Sequence, residues 1–507
     1  MHAAVSASTS NRQAGSPLTL KPLTIILASL LATAVIATVG SLSEVSLGDE
    51  NAHVRQARSY MRSGTRVPYD PACLSVDDRI RYVFTANPLW HAGLAVLWKA
   101  AGTDSDWLAQ TYQAGFYLLL VLSVYFGARQ IWSEEAASWA WLLVATMPMV
   151  CAYSMLLYLD VPGIAVSALG LLLLWKKKFW WCGFALAAAY LTKANMLSYA
   201  PWAVVFAVWW AGGKWPQRVA AALQVAVPVA LAFGYDMGWR FSAYEGMRPG
   251  HVKHFFSGLS AGAVASLKTK PENFVIWIPD PIGDPKIFIM NVGIPALLAF
   301  CLAVVRAWDG IAKWIWAGLG LSLAGFVWVF ALAHYPQTRY AFPVVVFLVL
   351  LGGRGLARWS LSSWLKVAIV AGCVLQAVAA GAYMYQHRQI SKWDHAGYAW
   401  IRENTSEHTR VMYPEQIVLN QTGRPWYWYA PSYFMTEATD AQRQELLRHF
   451  RVSHIAIPLR RIYDREREGD HSGGYPRDFV EKLDSKPYLK KVYENPGFRI
   501  YEFRSEE

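Results

Sequence analysis

Asp49, Glu50 and His53, in the stretch GDENAH, lie where the first apolar segment ends and could perform acid–base or metal chemistry. If the residues that follow are helical, Asp49 and His53 share one face, which Gln56 and Tyr60 continue. A carboxylate on that face could remove a proton from a hydroxyl group. Helix capping would also explain the acidic pair, because anions are favoured at a helix N-terminus.

A third carboxylate, Asp160, lies in YLDVPG at the turn between two apolar segments. It is the only carboxylate between Glu135 and Asp236. An ionisable residue at such depth indicates a functional site by default, although this one could also cap a helix. If Asp49 and Asp160 face one cavity, they could bind a divalent cation or divide the roles of base and metal ligand.

Two cationic residues lie at comparable turns, Lys193 in YLTKAN and Arg339 in HYPQTRYAFP. Each could bind a phosphate group, which an ammonium or a guanidinium neutralises well. The simpler alternative is that the long side chains extend towards lipid headgroups. Taken together, the carboxylates and cations suit one cavity that holds a lipid-linked phosphate and a hydroxyl to be deprotonated.

The composition predicts that membrane helices position these residues. The chain of 507 residues is 55% hydrophobic and only 16% charged, against about a quarter charged in soluble domains. Apolar stretches near the length of a bilayer core recur through residues 23–386. We predict about eleven spans, at 23–43, 109–130, 136–155, 161–175, 179–192, 196–212, 219–236, 287–306, 314–333, 340–353 and 364–386.

The basic residues of the loops predict the orientation. With the N-terminus inside, every strongly cationic loop falls on the inner side, as the positive-inside rule requires. These loops contain Arg129, Lys176 to Lys178, Lys214 with Arg218, Arg306 with Lys313, and Arg354, Arg358 and Lys366. The candidate site residues then all face the outer side. Topology also explains the net charge of +12, so nucleic acid is not an expected partner.

Three regions outside the spans differ in character. Residues 1–22 are rich in Ser and Ala and are expected to form a disordered cytoplasmic tail. The first outer loop, residues 44–108, contains an apolar helix at 88–101 that is too short to span. Residues 387–507 are polar, with strand-like runs at 410–414, 454–459 and 498–503 and helical patterns at 440–450 and 477–484. This alternation predicts an extramembrane α/β domain.

The motifs and their order resemble the GT-C superfamily of integral-membrane glycosyltransferases. The similarity is greatest to the branch of the lipid A aminoarabinose transferase and the protein O-mannosyltransferases. The matching features are GDENAH after the first span, YLDVP at the next outer turn, LTKAN before a loop, RYAFP opening a late span, and the α/β tail. The resemblance implies a fold of membrane helices, residues 23–386, that carries the catalytic centre.

The resemblance also implies inverting transfer of a sugar from a polyprenyl-phosphate donor. Asp49 would be the general base, with Glu50 beside it, and Asp160 and His53 would hold a divalent metal cation. Lys193 and Arg339 would bind the donor phosphate. The acceptor would be an envelope glycolipid, a glycan or a protein, and the site would face the periplasm from a bacterial inner membrane.

One departure from the family concerns the first outer loop. Its motif is often Lys-Pro-Pro or His-Pro-Pro, whereas this chain has Ala86-Asn87-Pro88, which removes an expected cation. Two other functions stay open. A transporter or flippase of lipid-linked glycans could use the same residues for binding, although transporters often contain internal repeats and none is evident here. A non-catalytic envelope-assembly subunit could recruit partners through its tail.

Overall fold

The fold is known from a computed structural model of the whole chain. It describes residues 20–45, 48–68, 73–74, 86–243, 292–332, 341–359, 361–413, 417–427, 438–459, 462–463 and 475–504. The predicted N-terminal tail and Arg339 lie outside these residues, apart from the end of the tail at residues 20–22.

Fourteen helices precede the tail in the described residues, and each predicted span coincides with one helix or with a bent pair. They are α1 (Pro22–Ser41), α2 (Gly48–Ser63), α3 (Leu89–Ala101), α4 (Asp106–Ile131), α5 (Glu134–Thr146), α6 (Pro148–Ser154), α7 (Asp160–Trp175), α8 (Phe179–Thr192), α9 (Tyr199–Trp210), α10 (Trp215–Ala243), α11 (Ile294–Arg306), α12 (Gly310–Leu332), α13 (Phe342–Ala357) and α14 (Ser363–His387). Helices α2 and α3 lie in residues 44–108, the segment predicted as the first outer loop, and α3 matches the predicted short apolar helix.

Length and composition identify the helices that could cross a bilayer. Helices α1, α4, α10 and α14 are each long and apolar enough, and the pair α5–α6 would make a fifth span. Helices α7, α8, α11 and α13 are apolar but shorter. Leu31 on α1 and Leu375 on α14 are largely exposed, as expected of side chains that face lipid. The chain is therefore a multi-pass membrane protein, and the count of eleven spans stays a prediction.

The predicted continuous span at 136–155 is wrong in one respect, because it is broken. Helices α5 and α6 meet at 55°. Met147 between them is extended, and Pro148 opens α6. The residue before a proline is disfavoured in the helical conformation, which explains the break at this position. Beyond the bend, the end of α6 lies near the end of α1, because Arg388 donates to Met155 O and to Gly40 O.

The tail contains a mixed sheet and a separate two-stranded sheet. Its elements are α15 (Lys392–Asn404), β2 (Arg410–Met412), α16 (Ile417–Thr422), β3 (Trp426–Tyr427), α17 (Asp440–His449), β4 (Val452–Pro458), β5 (Ile462–Tyr463), β6 (Tyr475–Pro476), α18 (Arg477–Leu483), β7 (Leu489–Asn495) and β8 (Phe498–Phe503). The two-stranded sheet is β5-β6. The three predicted strands correspond to β2, β4 and β8, and the two predicted helices to α17 and α18, whereas the other elements were not predicted. The boundaries of the tail as a separate domain stay a prediction.

The first outer loop contributes a strand to the sheet of the tail, which the sequence did not predict. The six-stranded sheet has the order β1-β3-β2-β4-β8-β7, and β1 is Cys73–Leu74. Cys73 pairs with Trp426, and Leu74 with Tyr427, in parallel. Nearby, Arg58 on α2 donates to Asn420 on α16 at 3.3 Å. The first outer loop and the tail therefore lie on the same side of the membrane helices.

Candidate active site

Helix α2 carries the acidic pair in its first turn, and the two carboxylates have opposite environments. Asp49 is exposed, whereas Glu50 is fully buried. Glu50 Oε1 accepts a hydrogen bond from Leu157 N at 2.9 Å and forms an ion pair with Arg388 Nη2 at 3.0 Å. The two adjacent carboxylates therefore differ in exposure, and Glu50 is held by contacts within the protein.

The predicted stripe along α2 faces the segment that begins α3. His53 Nδ1 lies 3.0 Å from His91 Nε2, and Gln56 donates to Tyr60 at 2.9 Å and to Ala86 O at 3.3 Å. His91 Nδ1 lies 2.9 Å from Asn87 O, a carbonyl that can only accept. A neutral His91 therefore accepts at Nε2 from the Nδ1–H of His53, which leaves Nε2 of a neutral His53 as its basic nitrogen.

The His53–His91 contact predicts a pH dependence of stability. Burial, and then the neighbouring His53, lower the pKa of His91 well below its usual range. In the unfolded chain this histidine takes up a proton at about pH 6.5, whereas in the folded protein it stays neutral at that pH. The folded state therefore loses stability as the pH falls below about 6.5. We expect the melting temperature in detergent to fall between pH 7.5 and 5.5, and to fall less in His91→Gln. Equal pH dependences in the two proteins would contradict this assignment.

Asp160 and Lys193 form a direct ion pair between the start of α7 and the end of α8. The Asp160 side chain is 1% exposed and that of Lys193 is 16% exposed. The pair forms at a close helix contact, because a Cβ atom at Gly163 would come within 3.3 Å of Lys193 Cβ. Oδ2 of Asp160 is buried and has no hydrogen-bond partner, so one oxygen of this carboxylate is left for another group.

The described residues by themselves do not fit a divalent metal. No three His, Cys, Asp or Glu side chains come together among them as a metal site. Asp160 offers one buried oxygen, Oδ2, but its other oxygen contacts Lys193. His53 is turned towards His91. A hard cation prefers several oxygen ligands, so Asp160 and His53 do not suffice for a site.

Contacts between neighbouring residues bring the predicted segments together. Glu50 binds the backbone of Leu157, three residues before Asp160. The rings of His53 and Tyr158 lie edge to face at 6.2 Å. Asn87 Nδ2 donates to the carbonyl of Tyr190, three residues before Lys193. The first turn of α2, the start of α3, the start of α7 and the end of α8 therefore surround one region. Arg339, the remaining candidate, lies outside the described residues.

A buried cationic cluster beside this region was missed by the sequence analysis. Asp236 accepts from Arg66 at 2.7 Å, from Arg240 at 2.9 Å and from the hydroxyl of Tyr190 at 3.0 Å. Arg240 Nη2 also donates to Asn87 Oδ1 at 2.9 Å. The two guanidinium groups and one carboxylate have a net charge of +1, which favours an anion.

Arg66 is the member of this cluster with unused hydrogen-bonding capacity. Its side chain is 7% exposed, and its Nε and Nη1 are buried and have no hydrogen-bond partner among the described residues. The guanidinium lies 3.5 Å from the ring centroid of Trp239, which orients it. Unpaired buried donors are costly, so these atoms are expected to bind an ordered water or an anion. The sequence signal for this cluster was Asp236 with Arg240, which lie four residues apart near the C-terminal end of α10.

Several solved structures share the fold of this chain. Ligand-free ArnT from Cupriavidus metallidurans aligns with a TM-score of 0.60 at 14% identity, over 95% of this chain and 97% of ArnT. The oligosaccharyltransferase of Archaeoglobus fulgidus, without ligand, aligns with a TM-score of 0.57 at 11% identity, over 86% of this chain and 69% of its own. The mycobacterial arabinofuranosyltransferase AftD aligns with a TM-score of 0.52 at 12% identity, over 96% of this chain and 40% of AftD.

The chain therefore has the fold of the GT-C glycosyltransferases, which confirms the resemblance predicted from the motifs. The sequence itself matches no family model and no curated protein. Some neighbours have been solved with ligands. ArnT was solved with undecaprenyl phosphate, and the Archaeoglobus enzyme AglB with an inhibitory peptide and a dolichol-phosphate, and separately with Zn and sulfate.

Proposed function

We propose that this protein is an inverting glycosyltransferase that moves a sugar from a polyprenyl-phosphate donor to an acceptor hydroxyl. The observation that carries the proposal is the buried guanidinium of Arg66 in a GT-C fold, since two of its nitrogens, Nε and Nη1, have no hydrogen-bond partner among the described residues. A phosphate would satisfy these donors and the positive charge together. The bound lipid phosphates of ArnT and AglB support the same class of donor.

Asp49 is the residue we assign as general base. Its carboxylate takes the proton of the acceptor hydroxyl, whose oxygen bonds to the anomeric carbon from the face opposite the donor phosphate. The carbon–oxygen bond to the phosphate breaks, and its electron pair stays on the polyprenyl phosphate. Proton removal by a positioned carboxylate contributes about 10²–10⁴ in rate. Glu50 was predicted as a second catalytic carboxylate, but its buried ion pair favours another role.

The cations neutralise the phosphate as it leaves. Lys193 and Arg339 are the predicted ligands, and we add Arg66 and Arg240. Arg240 is notable because its guanidinium reaches Asn87, where the family motif often has a lysine or histidine. Cations fixed beforehand at developing negative charge are among the largest contributions to enzymatic rates. The cation lost at residue 87 is therefore replaced by one from α10.

The divalent cation implied by the resemblance stays an expectation. We predict that Asp160 and His53 would contribute to its binding, and Zn in one AglB complex is consistent with metal use in this fold. Asp160 Oδ2 would be the available oxygen. The described residues do not complete a site, so the proposed step uses only the carboxylate and cations of the chain. Transfer measured before and after EDTA, with Mg²⁺ or Mn²⁺ added back, tests the metal.

The site and the tail are proposed to face the periplasm from a bacterial inner membrane. This orientation rests on the positive-inside distribution of the loops. The acceptor would then be an envelope glycolipid, a glycan or a protein. Comparing envelope extracts by mass spectrometry, from cells with and without the gene, tests the function. We expect a species to lose the mass of one sugar on deletion and regain it on complementation, whereas unchanged spectra would contradict the proposal.

A flippase of lipid-linked glycans is the alternative. It would move its substrate between two compartments and form no new glycosidic bond. Sugar transfer by the purified protein in detergent, where no second compartment exists, would exclude pure transport.

Replacing Arg66 tests the cationic cluster. We expect Arg66→Gln to weaken undecaprenyl phosphate binding by about tenfold or more, because a charged hydrogen bond to phosphate contributes about 1.5–3 kcal/mol. Exposed Arg62, in the last turn of α2, provides the matched control as Arg62→Gln. Binding is measured by titration of the purified proteins. Equal affinities of Arg66→Gln and the control would remove Arg66 from the donor site.

A further inference from the structure

A buried ion pair fastens the outer ends of several helices to each other. Arg388, which directly follows the last residue of α14, has a side chain 1% exposed, and the side chain of its partner Glu50 is 0% exposed. Nη2 of Arg388 lies 3.0 Å from Glu50 Oε1. Nη1 donates to Gly40 O at 2.9 Å, to Ser43 Oγ at 2.6 Å and to Met155 O at 2.7 Å. One guanidinium therefore joins the end of α1, the first turn of α2 and the end of α6.

The segments held by this ion pair are those that lead into the two candidate carboxylates. Asp49 directly precedes Glu50 in the first turn of α2. Glu50 Oε1 also accepts from Leu157 N at 2.9 Å, three residues before Asp160. The same two side chains thus determine where α2 begins and where the link to α7 runs. Any shift of the ion pair would move Asp49 relative to Asp160.

Stability alone is a weak explanation for such a pair. Two charges that are withdrawn from water lose hydration, and well-packed apolar residues in their place are often as stable or more so. Arg388 instead contacts four acceptors on three segments of the chain. A planar, branched guanidinium suits this task, whereas a single ammonium does not. Its geometry is that of a group that sets the register between helices.

We propose that Arg388 and Glu50 are positioning residues, which hold Asp49 at the distance from the donor that sugar transfer requires. This inference rests on the proposed function. It gives Glu50 a role other than proton transfer, since its carboxylate is fully buried and already accepts from two donors. The same inference makes the junction between α14 and the tail part of the framework that supports the active site. This junction positions Asp49 without contacting substrate.

The expected signature is a loss of turnover without a loss of donor binding. Displacement of a reacting group by about 1 Å can reduce a rate by roughly 10²-fold. We expect Arg388→Lys and Glu50→Gln to reduce kcat by roughly 10–100-fold. The affinity for undecaprenyl phosphate, measured by titration, should stay within about threefold of wild type. A purely structural role would instead reduce the folded fraction and leave the remainder fully active.

The experiment compares these variants with one control and one compensated double variant. Glu44→Gln is the control, because Glu44 lies six residues before Glu50 and pairs at 2.9 Å with His395 on α15, but these two side chains are 39% and 44% exposed. A single variant can fail to fold, because it leaves one buried charge without its partner. The double variant Glu50→Met with Arg388→Met avoids this problem, because it removes both charges together. All proteins are assayed in a gene-deleted strain at matched membrane levels, by mass spectrometry of the envelope sugar.

Each outcome has a definite meaning. We expect Glu44→Gln to keep nearly wild-type transfer. We expect the double variant to lose most of its transfer while it still binds undecaprenyl phosphate. Wild-type transfer by the double variant would overturn the positioning role and leave the proposed function standing. Equal losses of transfer and donor affinity would also overturn it. Absence of transfer by the wild-type protein itself would overturn the proposed function, and the inference with it.

Discussion

Asp49→Asn is expected to abolish sugar transfer while the protein still folds and inserts. Asparagine has nearly the same shape as aspartate but cannot accept the proton of the acceptor hydroxyl. A positioned general base contributes about 10²–10⁴ in rate, so the residual activity should be about 1% or less. Because the Asp49 side chain is exposed, its replacement by asparagine buries no new polar atom. The melting temperature should therefore stay close to that of wild type.

The control for this prediction is Glu44, a partly exposed acidic residue between α1 and α2. Glu44→Gln neutralises a carboxylate five residues earlier and should keep nearly full transfer. Activity is measured as the rate at which envelope acceptor gains sugar, at equal amounts of folded protein. Full activity of Asp49→Asn would rule out its role as base, and helix capping would then be the better explanation for the acidic pair.

Lys193→Met should have the second largest effect, because it acts on both stability and transfer. It leaves the buried carboxylate of Asp160 without its ion-pair partner, and breaking a buried pair costs about 3–5 kcal/mol. It also removes a cation from the proposed phosphate site. We expect a clearly lower melting temperature and no measurable transfer. Lys178→Met, an exposed lysine at the other end of α8, should change neither.

A second variant separates the two effects of Lys193. Asp160→Asn combined with Lys193→Met removes both charges, so most of the lost melting temperature should return. Transfer should stay absent, since the phosphate ligand is still missing. A double variant that regains transfer together with stability would show that the ion pair is only structural.

The helices could be predicted from the sequence because burial in lipid leaves a local signal. Apolar runs mark the membrane helices directly. The strands at 410–412, 452–458 and 498–503 were also visible as short apolar runs between polar turns. Pro148 is a sequence signal for the break at Met147. The break was not predicted because hydropathy is averaged over many residues, and the average does not detect a single proline.

Candidate site residues could be predicted from the sequence only where a charged residue interrupts or ends an apolar segment. Asp49, Asp160 and Lys193 were recognisable because each interrupts or ends an apolar segment. Arg66 and Asp236 were not, because their contact joins residues 170 positions apart. The pairing of Cys73–Leu74 with β3 was equally invisible, since a two-residue strand has no periodicity. Glu50 illustrates the limit best. Its neighbour Asp49 has the same chemistry, and only burial against Arg388 distinguishes the two.

The most direct test of the central claim is a transfer reaction with purified protein in detergent. Lipid-linked sugar and acceptor extracted from a gene-deleted strain serve as substrates, and both products are measured by mass spectrometry. The account predicts that wild-type protein forms glycosylated acceptor and free polyprenyl phosphate in equal amounts, and that Asp49→Asn forms neither. Wild-type protein that forms neither product, although the deleted strain lacks the envelope sugar, would contradict the account and favour transport.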